Sequence, residues 1–119
     1  MKGISRITLI GNLGKDPEHR LTPAGKAVVT FSLAVNKGKG KDDKDLTNWY
    51  TIHVWNEKIH DAILTYLKKG SAVYIDGDLM FRTYQKDNGT DGYSLDVNAS
   101  QVQFLNSKPA EQGEEMTGW

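Results

Sequence analysis

Hydrophobic and polar positions alternate along most of this chain, the pattern of strands that turn one face inward. Ile4, Arg6, Thr8 and Ile10 alternate with Ser5, Ile7, Leu9 and Gly11, and the run is β-branched enough to predict a strand partly covered on both faces. Period-two stretches at 28–35 and 47–55 predict two more strands. Over 56–69 the period changes: Ile59, Ala62, Ile63, Tyr66 and Leu67 fall at helical spacing and form one apolar stripe, with Gly70 placed to cap it. Residues 72–83 and 93–105 read as strands again, parted by a segment whose Asn-Gly and Asp-Gly pairs mark a turn. Gly77 inside its strand predicts a bend or bulge.

Three strands, one helix and two strands is the order of the OB-fold. The predicted class is therefore all-β: a five-stranded Greek-key barrel with one helix between strands 3 and 4. Runs of strands with a single helix argue against a parallel α/β layout, which needs a helix at each crossover.

Periodicity ends near Ser107-Lys108-Pro109, which divides the chain into a domain at 1–107 and a short flexible acidic tail at 108–119. The chain of 119 residues carries fifteen Lys and Arg against fifteen Asp and Glu, a net charge of zero. That zero hides an asymmetry. Up to Lys108, fifteen cations face twelve acids, and Glu111, Glu114 and Glu115 supply the rest. With no cysteine, disulfides and thiolate metal sites are excluded, in keeping with a reducing compartment. No apolar run reaches membrane-spanning length and no signal-peptide core follows Met1, so the expected location is the cytoplasm.

Catalytic groups do not converge. His53 stands between Ile52 and Val54, so it projects with Thr51 from the opposite face as a half-exposed strand histidine. Asp76 and Asp78 share a strand face and read as paired surface acids on a sheet edge rather than a cation site. Gly11-Asn12-Leu13-Gly14 lacks the Lys-hydroxyl pair of a phosphate loop. No cofactor and no metal are expected.

Aromatic and basic residues point elsewhere. Trp49 and Trp55 lie on one strand face with Thr51 and His53, while Tyr50, Ile52 and Val54 form the apolar face suited to a barrel interior. The two indoles then face outward, either as a surface for flat ligands or as anchors packed at a protein contact. Tyr84 shares parity with Met80 and Arg82 and is a third candidate outward ring. Exposed rings beside cations are what single-stranded nucleic acid needs, with unstacked bases on the rings and phosphates on Lys or Arg. The stretch Lys37-Gly38-Lys39-Gly40-Lys41 reads either as a solvated hairpin tip or as a basic finger along the same path.

The strings 11–20 (GNLGKDPEHR), 22–25 (TPAG), 31–34 (FSLA), 47–50 (TNWY), 66–70 (YLKKG) and 73–77 (VYIDG) together resemble the bacterial single-stranded DNA-binding protein family, colinearly over about residues 4–105. The resemblance implies an OB-fold subunit of a homo-oligomer, usually a homotetramer, that coats single-stranded DNA during replication, recombination and repair. It carries the stacking role onto Trp49, onto Trp55 where phenylalanine is common, and onto Tyr84 where tryptophan is common. It carries phosphate contacts onto Arg6, Arg20, Lys58, Lys69 and Arg82. Near Lys39 many members place another stacking tryptophan, which this chain replaces with lysine among glycines. The family's long linker and acidic Pro-Phe tip, which dock replication and repair proteins, correspond here to a shorter tail with Glu114, Glu115 and the terminal Trp119. A bacterial, phage or plasmid origin fits the resemblance. The rival readings are an OB module for RNA or primosome assembly, a protein-interaction module burying Trp49 and Trp55, and an OB-fold enzyme using His53.

Overall fold

The computed structural model describes residues 1–42 and 45–105. Among them the elements run β1 (Arg6–Leu13), β2 (Glu18–Leu21), β3 (Ala27–Lys39), β4 (Asp45–Val54), a 3-10 turn (Glu57–Ile59), α1 (His60–Tyr66), β5 (Ala72–Gln85) and β6 (Asp91–Phe104). The sheet order is β1-β5-β6-β4-β3-β2, and a further β1–β3 pairing closes it into a barrel. All pairings are antiparallel except β4 with β6, which run parallel. This is the expected OB-type barrel.

One strand more than expected is present, so the helix falls between the fourth and fifth strands rather than the third and fourth. The extra strand is β2. It lies on the same edge of β3 as β1 does: Leu13 pairs with Leu33, and after the break at Gly14 to Pro17 the pairing resumes at Glu18 with Thr30. Pro17 supplies no amide proton to a ladder, which accounts for an interruption of one long edge. All four residues of β2 are exposed, so no alternation betrays it in the sequence.

The interior is filled by the inward positions of each barrel strand, including Leu9, Leu13, Val29, Phe31, Leu33, Ile52, Val54, Val73, Ile75 and Val97. Ile63 and Leu67 join this cluster. The helix is shorter than the predicted 56–69, and its buried stripe differs. His60 is buried, with its Nε2 2.6 Å from the Val54 carbonyl, whereas Tyr66 is exposed and tilts against Phe104. Gly70 does not cap the helix. Its φ of +91° forms the turn joining Lys68 to Ser71, and its amide donates to the Leu13 carbonyl at 2.8 Å.

The pairing of β5 with β6 slips between Asp76 and Gly77, the predicted bulge. β5 lies between β1 and β6, so Asp76 and Asp78 stand inside the sheet and not on an edge. Asp76 faces the Arg6 guanidinium at 3.5 Å. The lysine stretch is partly drawn into β3, which ends at Lys39, with Gly38 at φ +92°. No helix of the described residues is long and apolar enough to cross a membrane. The tail residues Glu114, Glu115 and Trp119, and the boundary at 107/108, lie outside the described residues.

Candidate nucleic-acid interface

Strand alternation carries Tyr50, Ile52 and Val54 inward and leaves Trp49, Thr51 and His53 on the outer surface, with Trp55 immediately after the strand. Trp49 is 56% exposed, Trp55 39% and Tyr84 43%. Indole and phenol rings are costly to leave in water, so three of them exposed on one barrel surface is a feature that packing does not explain.

Trp49 and Tyr84 line the same open groove of about 580 Å³, together with Arg82. The Arg82 guanidinium carbon lies 5.8 Å from the Tyr84 ring centre, within cation–π range. Trp49 also borders a second recess shared with Lys15 and Arg20. Trp55 is six residues further on, one past the end of β4, roughly 20 Å away at the strand rise. Its Nε1 donates to Asn98 Oδ1 at 3.0 Å, and Lys26 Nζ lies 5.9 Å from its ring centre.

Between the rings lies a buried carboxylate. Asp96 is 4% exposed and sits opposite Thr51 in the parallel β4–β6 pairing. It accepts from His53 Nε2 at 3.0 Å, from Arg82 Nε at 3.3 Å and from the Ser94 hydroxyl. Burial pushes the Asp96 carboxyl up, but hydrogen bonds from Ser94 and His53 and the charges of Arg82 and His53 outweigh it and hold the group below its ordinary range. His53 Nδ1 is 3.3 Å from Thr30 Oγ1, so both ring nitrogens are engaged. The half-exposed histidine is thus part of a structural network. Arg82, held at Nε, keeps its side chain 56% exposed.

The remaining cations are not equally placed. Arg20 pairs with Glu18 at 2.8 Å, and the Arg20 hydrogen bond holds the Glu18 carboxyl below its ordinary range. Arg6 lies on the outer surface of β1, donating to Ser100 Oγ at 3.0 Å beside Asp76, so acids offset its charge. Lys58 is exposed in the 3-10 turn three residues beyond Trp55. Lys69 follows the helix, and its backbone amide donates to Asp16 Oδ1 at 2.8 Å, beside the Lys15 recess. Arg82 is brought against Tyr84 and Lys26 against Trp55, while Arg20 shares the second recess with Trp49 and Lys58 stands three residues beyond Trp55.

Several contributors escape sequence reading. Phe81 and Tyr93 line the Trp49 groove as a stacked pair, 5.4 Å apart and 64% and 63% exposed. Their parity is that of the inner barrel face, which predicts burial; the β5–β6 hairpin carries them past the barrel end. Asp96 meets His53, and Asn98 meets Trp55, only through the β4–β6 pairing, for which local periodicity has no signal. Lys26 carries no sequence signal beyond its charge.

Residues 4–105 match the family described as "Single-strand binding protein family". The chain is 41% identical over 109 residues to a single-stranded DNA-binding protein 3 of Listeria innocua, covering 88% of this chain and 66% of the relative. It is 34% identical over 110 residues to a single-stranded DNA-binding protein of Xanthomonas axonopodis, covering 90% of this chain and 61% of that one. The chain therefore spans about two-thirds or less of these relatives' length. Among solved structures it is similar to "Plasmodium falciparum SSB complex with ssDNA", with a TM-score of 0.72 and 32% identity, covering 89% of this chain and 98% of the other.

Proposed function

The chain belongs to the single-strand binding protein family, and from that premise we propose that it binds single-stranded DNA without strong sequence preference and without catalysis. The observation that carries this reading is the groove in which exposed Trp49 and Tyr84 flank Arg82. A base has a π-face whatever its identity, so stacking on Trp49, Tyr84 and Trp55 is sequence-tolerant at roughly 1–3 kcal/mol per base. Arg82 supplies the phosphate contact between rings, with Lys58, Lys69, Arg20 and Arg6 as outer contacts along the backbone. Acids beside Arg6 and Arg20 make these two the weaker contributors. Neutralising phosphates releases counterions, so affinity falls steeply as salt rises.

On this reading the protein coats single strands in the bacterial cytoplasm or nucleoid during replication, recombination and repair. It acts as a homo-oligomer, a tetramer in the family pattern, and Glu114, Glu115 and Trp119 dock partner proteins. The test is a titration of oligo-dT against intrinsic tryptophan fluorescence at low and high salt. Quenching that weakens with salt is expected. Absent quenching at low salt would refute the proposal, and equal competition by a matched ribo-oligomer would move it to an RNA-binding reading.

A further inference from the structure

Two of the three rings assigned to stacking, Tyr84 and Trp49, lie across a glycine. Gly92 is buried and stands directly opposite Tyr84 in the β5–β6 pairing. A Cβ placed on Gly92 would meet the Tyr84 Cζ at 2.5 Å, Cε2 at 2.6 Å and Oη at 2.9 Å. The phenol thus occupies the space a side chain would need. Gly92 is not among the glycines with positive φ, so its backbone does not demand glycine. Trp49 repeats the arrangement: a Cβ on Gly14 would meet its Cζ3 at 2.5 Å and Cη2 at 3.1 Å, again without positive φ. Steric room for the ring is the common factor.

We propose that Gly92 and Gly14 are positioning residues for binding, seating Tyr84 and Trp49 against the sheet so that the opposite ring face meets the groove. The inference rests on the proposed binding of single strands and deepens it: ring orientation, set from the neighbouring strand or loop, is part of the affinity. An exposed ring whose one face is held loses less freedom when a base stacks on the other. Gly92 gives the cleaner test, because all three nearest atoms belong to the Tyr84 side chain, which can swing outward into solvent. A methyl group there displaces the ring while leaving the fold intact. At Gly14 the Ser32 hydroxyl also lies 3.0 Å from the added carbon, so folding is at greater risk.

The experiment is a double-mutant cycle in the full chain with Gly92→Ala, Tyr84→Ala and both together, read by oligo-dT affinity and by thermal melting. Gly92→Ala is expected to weaken binding ~5-fold or more, the lower end of a lost stack, with the melting transition nearly unmoved. In the Tyr84→Ala background the same change is expected to alter affinity by less than ~2-fold, since no ring remains to displace. Equal weakening in both backgrounds overturns the seat and points to a general disturbance of the hairpin. Full affinity in Gly92→Ala alongside lost affinity in Tyr84→Ala overturns the seat alone. Unchanged affinity in Tyr84→Ala removes that ring from the binding path and the seat with it, while the wider reading still stands or falls with Trp49.

Discussion

Replacing Asp96 by Asn removes the one buried charge among the outward residues of β6 and keeps its shape. The carboxylate accepts from His53, Arg82 and Ser94, and hydrogen bonds to a charged group contribute about 1.5–3 kcal/mol each when isolated. Three such values do not add, because the partners share one acceptor and the Arg82 side chain is 56% exposed, where solvent screens the attraction. Asn retains an acceptor oxygen, so a net loss of about 1–3 kcal/mol at neutral pH is expected. The pH dependence sharpens the test. Asp96 has a folded pKa held below its ordinary value, so its contribution is complete above the unfolded pKa of about 3.9 and is lost as pH falls through the folded value. Urea melts at pH 7, 5 and 3 should show a full gap between wild type and Asp96→Asn at the first two and a smaller gap at the third. A variant as stable as wild type at pH 7 would refute the network's role. A gap independent of pH would show that shape, and not charge, is what Asp96 contributes.

Trp49→Ala and Tyr84→Ala should each weaken oligo-dT binding by about 1–3 kcal/mol in a fluorescence or anisotropy titration, irrespective of base composition, with small changes in melting because both rings are exposed. Arg82→Ala and Lys58→Ala should each flatten the plot of log K against log salt by about 0.7 for every phosphate left without its cation, and Arg6→Ala should flatten it less, as Asp76 already offsets that charge. Ile63→Ala should cost about 2–5 kcal/mol in denaturant unfolding, since the side chain is fully buried in the core cluster, while leaving the binding affinity of the folded fraction unchanged.

The alternation of Trp49, Thr51 and His53 against Tyr50, Ile52 and Val54 is enough to place two indoles outside a barrel, because side-chain direction in a strand follows from neighbours two positions away. The change of period after Asn56 is likewise enough to locate the helix between strands, and the glycine-rich turn before β6 is readable from its residue types. These are local properties, dictated by chain geometry within a few bonds. What local pattern leaves open is set by pairing between distant segments. β2 exists because β3 offers it an edge, although its own four residues are all exposed. Asp96 finds His53 through a parallel pairing across 43 positions, and Phe81 and Tyr93 are exposed because the hairpin outruns the barrel. Gly92 lies beneath Tyr84 only once the register of β5 and β6 is fixed. Register is a sum over many weak contacts between remote residues, so no single stretch encodes it, and the orientation of the binding rings is decided at that level.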